Sequence, residues 1–174
     1  MSISLHHALV PQWIQMIDGL ERVLTKADSH CGEAECSEQE LVQRKLAPDM
    51  LDFAYQVKSV RTHSIGAVEG VRAGVFSPDM SDSPRDFAAM RTMLSQTRHA
   101  ISALDPAEFE GFIGKPVEFR FRDFVMPFDG EEFLLSFSQP NFYFHVTTAY
   151  AILRQAGVAV GKFDYLGSVR KKVS

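Results

Sequence analysis

The sequence predicts a mainly α-helical fold: a bundle of four long helices with a small β-hairpin inserted between the third and the fourth. Apolar residues recur at helical spacing in three stretches before Asp105 and again after Pro140. In one segment only, the period drops to two, where Val117, Phe119 and Phe121 alternate with Glu118, Arg120 and Arg122. The 174 residues are 45% apolar and include 14 Phe, enough for a core, and no Pro/Gly/Ser-rich linker divides them, so a single domain over 1–174 is expected.

The first helix is read from Trp13, Met16, Ile17, Leu20, Leu24 and Ala27, with Pro11 near its start, where a missing N–H costs little. A polar loop follows, in which Ser37 and Glu40 form a capping-box pattern for a short helix through about Lys45. Pro48 opens the second long pattern, with Met50, Phe53, Ala54, Val57, Val60 and Ala67 on one face, ending near Gly70 or Gly74. Gln56 and His63, seven residues apart, border that face. Ser83 is expected as the N-cap of the third helix, with Pro84 at its first position and Asp86 at its third. That helix buries Phe87, Met90, Leu94, Thr97, Ile101 and Leu104 and stops at Asp105-Pro106.

The hairpin spans about Val117 to Phe128, turns at Asp123, and returns through Phe124 to Phe128 as an edge strand, because Pro127 cannot donate to a ladder. Glu131 to Ser138 reads as one or two helical turns interrupted at Pro140, where the fourth long helix begins, and Gly157 is placed to end it.

The net charge of −4 gives no diffuse attraction to phosphate, so no nucleic-acid partner is expected. The chain shows neither a basic leader nor a run of about 18 apolar residues, which points to a cytoplasmic protein with no membrane partner. Cys31 and Cys36 are expected as free thiols. The stretch His30 to Cys36 (HCGEAEC) offers metal-ligating side chains but lacks the second ligand pair of a zinc motif. His6, His7 and His99 are assigned to the surface or rim, and no GxSxG, P-loop, dinucleotide glycine pattern or HExxH is present, so catalytic residues stay unassigned.

The residues that draw attention are Asn141 and His145, which stack on one face of the fourth helix, a face that continues through Thr148, Ala149, Ile152 and Ala156. A histidine buried there needs a partner, and Asn141 one turn away or Gln56 across the bundle supplies one. His145 is then either a satisfied core histidine or part of a ligand or metal site built between facing helices.

LAPDM at Leu46–Met50 followed by Gln56, the run PNFYFHVTTAYAILRQAGVAVGK from Pro140 to Lys162, the early VPQW, and EFEGF before the hairpin resemble a bacterial family of unknown function within the DinB/YfiT-like superfamily. The resemblance covers nearly the whole chain. It implies a DinB/YfiT-like four-helix bundle, commonly a homodimer, whose members often hold a divalent metal, zinc or nickel, with three histidines: one on the second helix and an HxxxH pair on the fourth. Some such proteins are metal-dependent transferases or isomerases acting with low-molecular-weight thiols. Here His145 matches one metal ligand, Asn141 stands where its partner histidine would be, and the helix-two position is Gln56 or, two turns later, His63. An amide oxygen is a poor substitute for imidazole around zinc or nickel. The expectation is therefore a degenerate metal site in which His145, Asn141, and Gln56 or His63 orient a small polar ligand; a thiol transferase and a noncatalytic dimerisation module are the alternatives.

Overall fold

The computed structural model describes residues 3–33 and 36–172. Helix α1 (Leu5–Glu33) buries Trp13, Ile17, Leu20, Leu24 and Ala27, the stripe read from the sequence. Pro11 lies inside this helix rather than in its first turn; the carbonyl it leaves unmatched belongs to His7, which is exposed and open to water. The short α2 (Glu38–Val42) starts at the Ser37–Glu40 capping box and stops before Lys45.

The second long pattern is two helices, α3 (Phe53–Thr62) and α4 (Ile65–Ala73), broken at His63 and Ser64. The break is local chemistry. The Ser64 hydroxyl donates to the Val60 carbonyl at 2.7 Å, satisfying the end of α3, while its own carbonyl accepts from the Ala67 amide and begins α4. Gly74, at φ 74°, ends α4 in the left-handed conformation that costs a Cβ-bearing residue most.

Next come β1 (Val75–Phe76) and α5 (Phe87–Ser102), which buries Phe87, Met90, Leu94, Thr97 and Ile101. Its N-cap is Asp86, whose carboxylate accepts from the Ala89 amide, not Ser83: the helix begins three residues later than the Ser-Pro signal suggests. After α6 (Pro106–Glu110), strands β2 (Pro116–Phe121) and β3 (Phe124–Asp129) form the expected antiparallel hairpin. It is not the whole of the β-structure, because β1 pairs parallel with β2 to give a three-stranded sheet in the order β1-β2-β3, with Pro127 on the edge strand. Two residues are too few to show alternation.

The approach to the last long helix is continuous helix: α7 (Gly130–Glu132), a π-helical segment over Phe133–Ser138, and α8 (Gln139–Gln155). Within it the Gln139 amide reaches back five residues to the Leu134 carbonyl. Pro140 can donate nothing, so a widened turn here lets the chain pass the proline without ending the helix. Gly157, at φ 90°, follows the α8 C-cap, and α9 (Lys162–Leu166) folds back onto α1. The bundle thus consists of α1, the broken α3–α4 pair, α5 and α8: α1 packs on α5 and α8, α3 on α8 and α5, and the sheet lies against α4.

Candidate functional site

His145 projects from the middle of α8 toward α3, and its Nδ1 lies 2.7 Å from Oε1 of the buried Gln56. The roles are fixed by the other end of the amide. Gln56 Nε2 donates to the Leu51 carbonyl at 3.0 Å, so the oxygen faces the histidine, and an amide oxygen only accepts. His145 therefore carries its proton on Nδ1 and leaves Nε2 with a free lone pair.

His63, at the α3–α4 break, stacks on this ring with centroids 5.5 Å apart and planes 18° from parallel. The Ser138 hydroxyl, at the end of the π-helical segment, donates to the His63 carbonyl at 3.1 Å and stands 3.4 Å from its Nδ1. With the hydroxyl proton directed to a carbonyl, the Ser138 oxygen is free to accept from Nδ1–H of His63, the tautomer that would match His145. Phe76 and Phe137 close around the His63 ring, and Tyr55 and Phe144 meet His145 edge-on.

Both imidazoles are held neutral. Burial drives His63 down to about 3, helped by the neighbouring His145, and burial holds His145 at about 4. Among the described residues no hydrogen bond reaches either Nε2, yet no buried side-chain nitrogen or oxygen lacks a partner, so both Nε2 atoms touch solvent. Two neutral, anchored imidazoles thus sit side by side at the edge of the core.

Asn141 is placed differently. Its Nδ2 donates to the Phe137 carbonyl at 2.7 Å, within its own helix, so this amide group helps stitch the π-helical segment to α8. Chemically, the donor set beside His145 is one more imidazole nitrogen, and among the described residues no group of three or more His, Cys, Asp and Glu side chains is arranged to hold a metal ion. That falls short of three strong ligands. Cys31 and Cys36 are free thiols, and Glu35 of the His30–Cys36 stretch lies outside the described residues. His6 packs edge-on against Phe109.

Of the residues named from the sequence, Gln56, His63 and His145 lie together, while Ser138, whose place depends on the π-helical register, was not named as a candidate. Nor was the core pair in which Trp13 Nε1 donates to Gln139 Oε1 at 2.6 Å, anchoring α8 to α1 just before the site. The signal available for both was the pair of polar residues Ser138 and Gln139 just before Pro140, after a largely apolar stretch.

The family model described as Domain of unknown function (DUF1993) matches residues 5–166. Among solved structures, the chain is similar to a DinB family member protein from Shewanella denitrificans, with 26% identity and a TM-score of 0.81 over 98% of this chain and 96% of that one. No curated protein matches. The fold is DinB-like, and among the described residues no helix is long and apolar enough to cross a membrane.

Proposed function

Since the chain belongs to the family described as Domain of unknown function (DUF1993), we propose its function from the chemistry of the site: it binds a small polar molecule that donates hydrogen bonds to Nε2 of His63 and His145. The carrying observation is the 2.7 Å contact from His145 Nδ1 to a Gln56 oxygen whose orientation Leu51 fixes, because it turns His145 Nε2 into an acceptor. A neutral acceptor pair selects amide, hydroxyl, thiol or ammonium groups and disfavours carboxylates and phosphates, which would place lone pair against lone pair. On this reading the histidine metal site is degenerate, Asn141 having left it for the helix backbone. The protein works in the cytoplasm as a homodimer paired through the outer face of α8, whose run Gln139–Leu153 carries no Asp, Glu, Lys or Arg and exposes Phe144.

The test is a binding screen of small amides, alcohols, thiols, carboxylates and phosphates, together with metal analysis of protein purified without an affinity tag. Expected are responses to the neutral donors alone, lost in His145→Ala, and substoichiometric metal. One equivalent of zinc or nickel in the purified protein would replace this reading with a metal-dependent thiol transferase.

A further inference from the structure

A cleft of about 440 Å³ opens beside the histidine pair, lined by Leu51, Tyr55, Lys58, Met80 and Phe121 together with neighbours in the loop after β1. Two of its residues also belong to the histidine site. Tyr55 packs its ring edge-on against His145 at 6.1 Å, and the Leu51 carbonyl holds the Gln56 amide that orients His145. Cleft and histidine pair are therefore neighbours, with the Tyr55 ring standing between the cleft and His145.

Lys58 is the one cation among these residues, and it is already committed. Its Nζ donates to the Asp79 carbonyl at 2.9 Å and the Ser81 carbonyl at 2.5 Å, lies 3.6 Å from the Asp79 carboxylate, and sits over the Tyr55 ring. Two of its protons pin the loop, and the Asp79 carboxylate beside it offsets the charge an anion would need. What the cleft offers a ligand is apolar surface: Leu51 is 51% exposed, Met80 75% and Phe121 36%, contributed by the loop before α3, the loop after β1 and the end of β2. Apolar side chains from three separate segments, converging on a space in the range of small-molecule pockets, indicate a site that gains from being filled.

We infer that this cleft is the apolar subsite of the ligand, so that the molecule bound is an amphiphile: a neutral hydrogen-bond-donating head on His63 and His145, and a hydrocarbon tail against Leu51, Tyr55, Met80 and Phe121. The inference rests on the histidine pair binding the head, as proposed above. The tail distinguishes this ligand from the small, fully polar molecules that a bare imidazole pair would accept.

The test uses straight-chain primary amides from acetamide to octanamide, and methyl esters of the same chain lengths, which lack the N–H donors. Amide affinity is expected to rise about threefold to fourfold with each added methylene until the cleft is full. Met80→Ser and Phe121→Ser should flatten that rise while acetamide, too short to reach them, binds variant and parent alike; both side chains are exposed, and unchanged melting temperatures would show that folding is intact. Amide affinity independent of chain length, or a rise that persists in both variants, overturns the apolar subsite. Esters that bind as tightly as amides, with the chain-length rise intact and sensitive to Met80→Ser, would leave the subsite standing and remove the proposed head contact instead.

Discussion

Gln56 controls more of this site than its neutral side chain suggests. It is buried, it spends its amide hydrogen on the Leu51 carbonyl, and it thereby dictates which nitrogen of His145 is protonated. Replacing it by leucine of similar size removes the acceptor and leaves an imidazole N–H without a partner in a largely dry setting. The expected cost is about 1–3 kcal/mol, a fall in melting temperature of roughly 2–10 °C for a chain of this length, and the check is a thermal melt of Gln56→Leu beside the parent. The four-residue spacing of Asn141 and His145 and the seven-residue spacing of Gln56 and His63 were legible in the sequence because helical geometry translates spacing into facing. That Asn141 would bond along its own helix was not, since an amide facing a pocket and one facing a freed carbonyl have the same spacing.

Among the elements, the second and fourth long helices depart furthest from their sequence patterns, and both departures build the site. The apolar stripe from Phe53 to Ala67 runs through the break, so periodicity alone reads one helix; Ser64, which ends one helix and starts the next with the same residue, left only a weak signal. The break gives His63 a C-cap position from which its ring reaches His145. In the fourth helix the π-helical turn brings Ser138 to His63, and nothing in a hydrophobic pattern distinguishes a five-residue hydrogen bond from a four-residue one. The outer face of α8 was legible by what it lacks, a charge between Gln139 and Leu153. Its Thr147, Thr148 and Ala151 form, with Leu46, Pro140, Tyr143 and Phe144, a shallow depression of about 350 Å³. Sedimentation should show a dimer for the parent chain and a monomer for Ala151→Glu, which puts a charge in that face; a parent chain that stays monomeric at high concentration contradicts the proposed pairing.

At the scale of the whole molecule, the neutral histidines tie stability to pH. In the folded chain His63 and His145 titrate near 3 and 4, below the ordinary 6.5, so as pH falls the unfolded chain takes up protons first. Stability present at pH 7 is therefore lost from about pH 6.5 downward, by up to about 1.4 kcal/mol per pH unit for each histidine, until the folded-state values are reached. Asp79, Glu108 and Asp164, held below the ordinary carboxylate range, add their own losses only at lower pH. Urea melts at pH 7, 6 and 5 should show this decline, and a variant with both histidines replaced by phenylalanine should be nearly flat over the same interval.

The proposed ligand site requires His63 and His145 to be neutral, protonated on Nδ1, and to present Nε2 as acceptors. Long-range ¹H–¹⁵N NMR of the imidazole rings tests it most directly. At pH 7 both residues should show a proton-bearing Nδ1 and a Nε2 with the shift of an unprotonated ring nitrogen, unchanged down to about pH 5. A proton on Nε2 of His145, or an imidazolium spectrum for either residue already at pH 6, would contradict it.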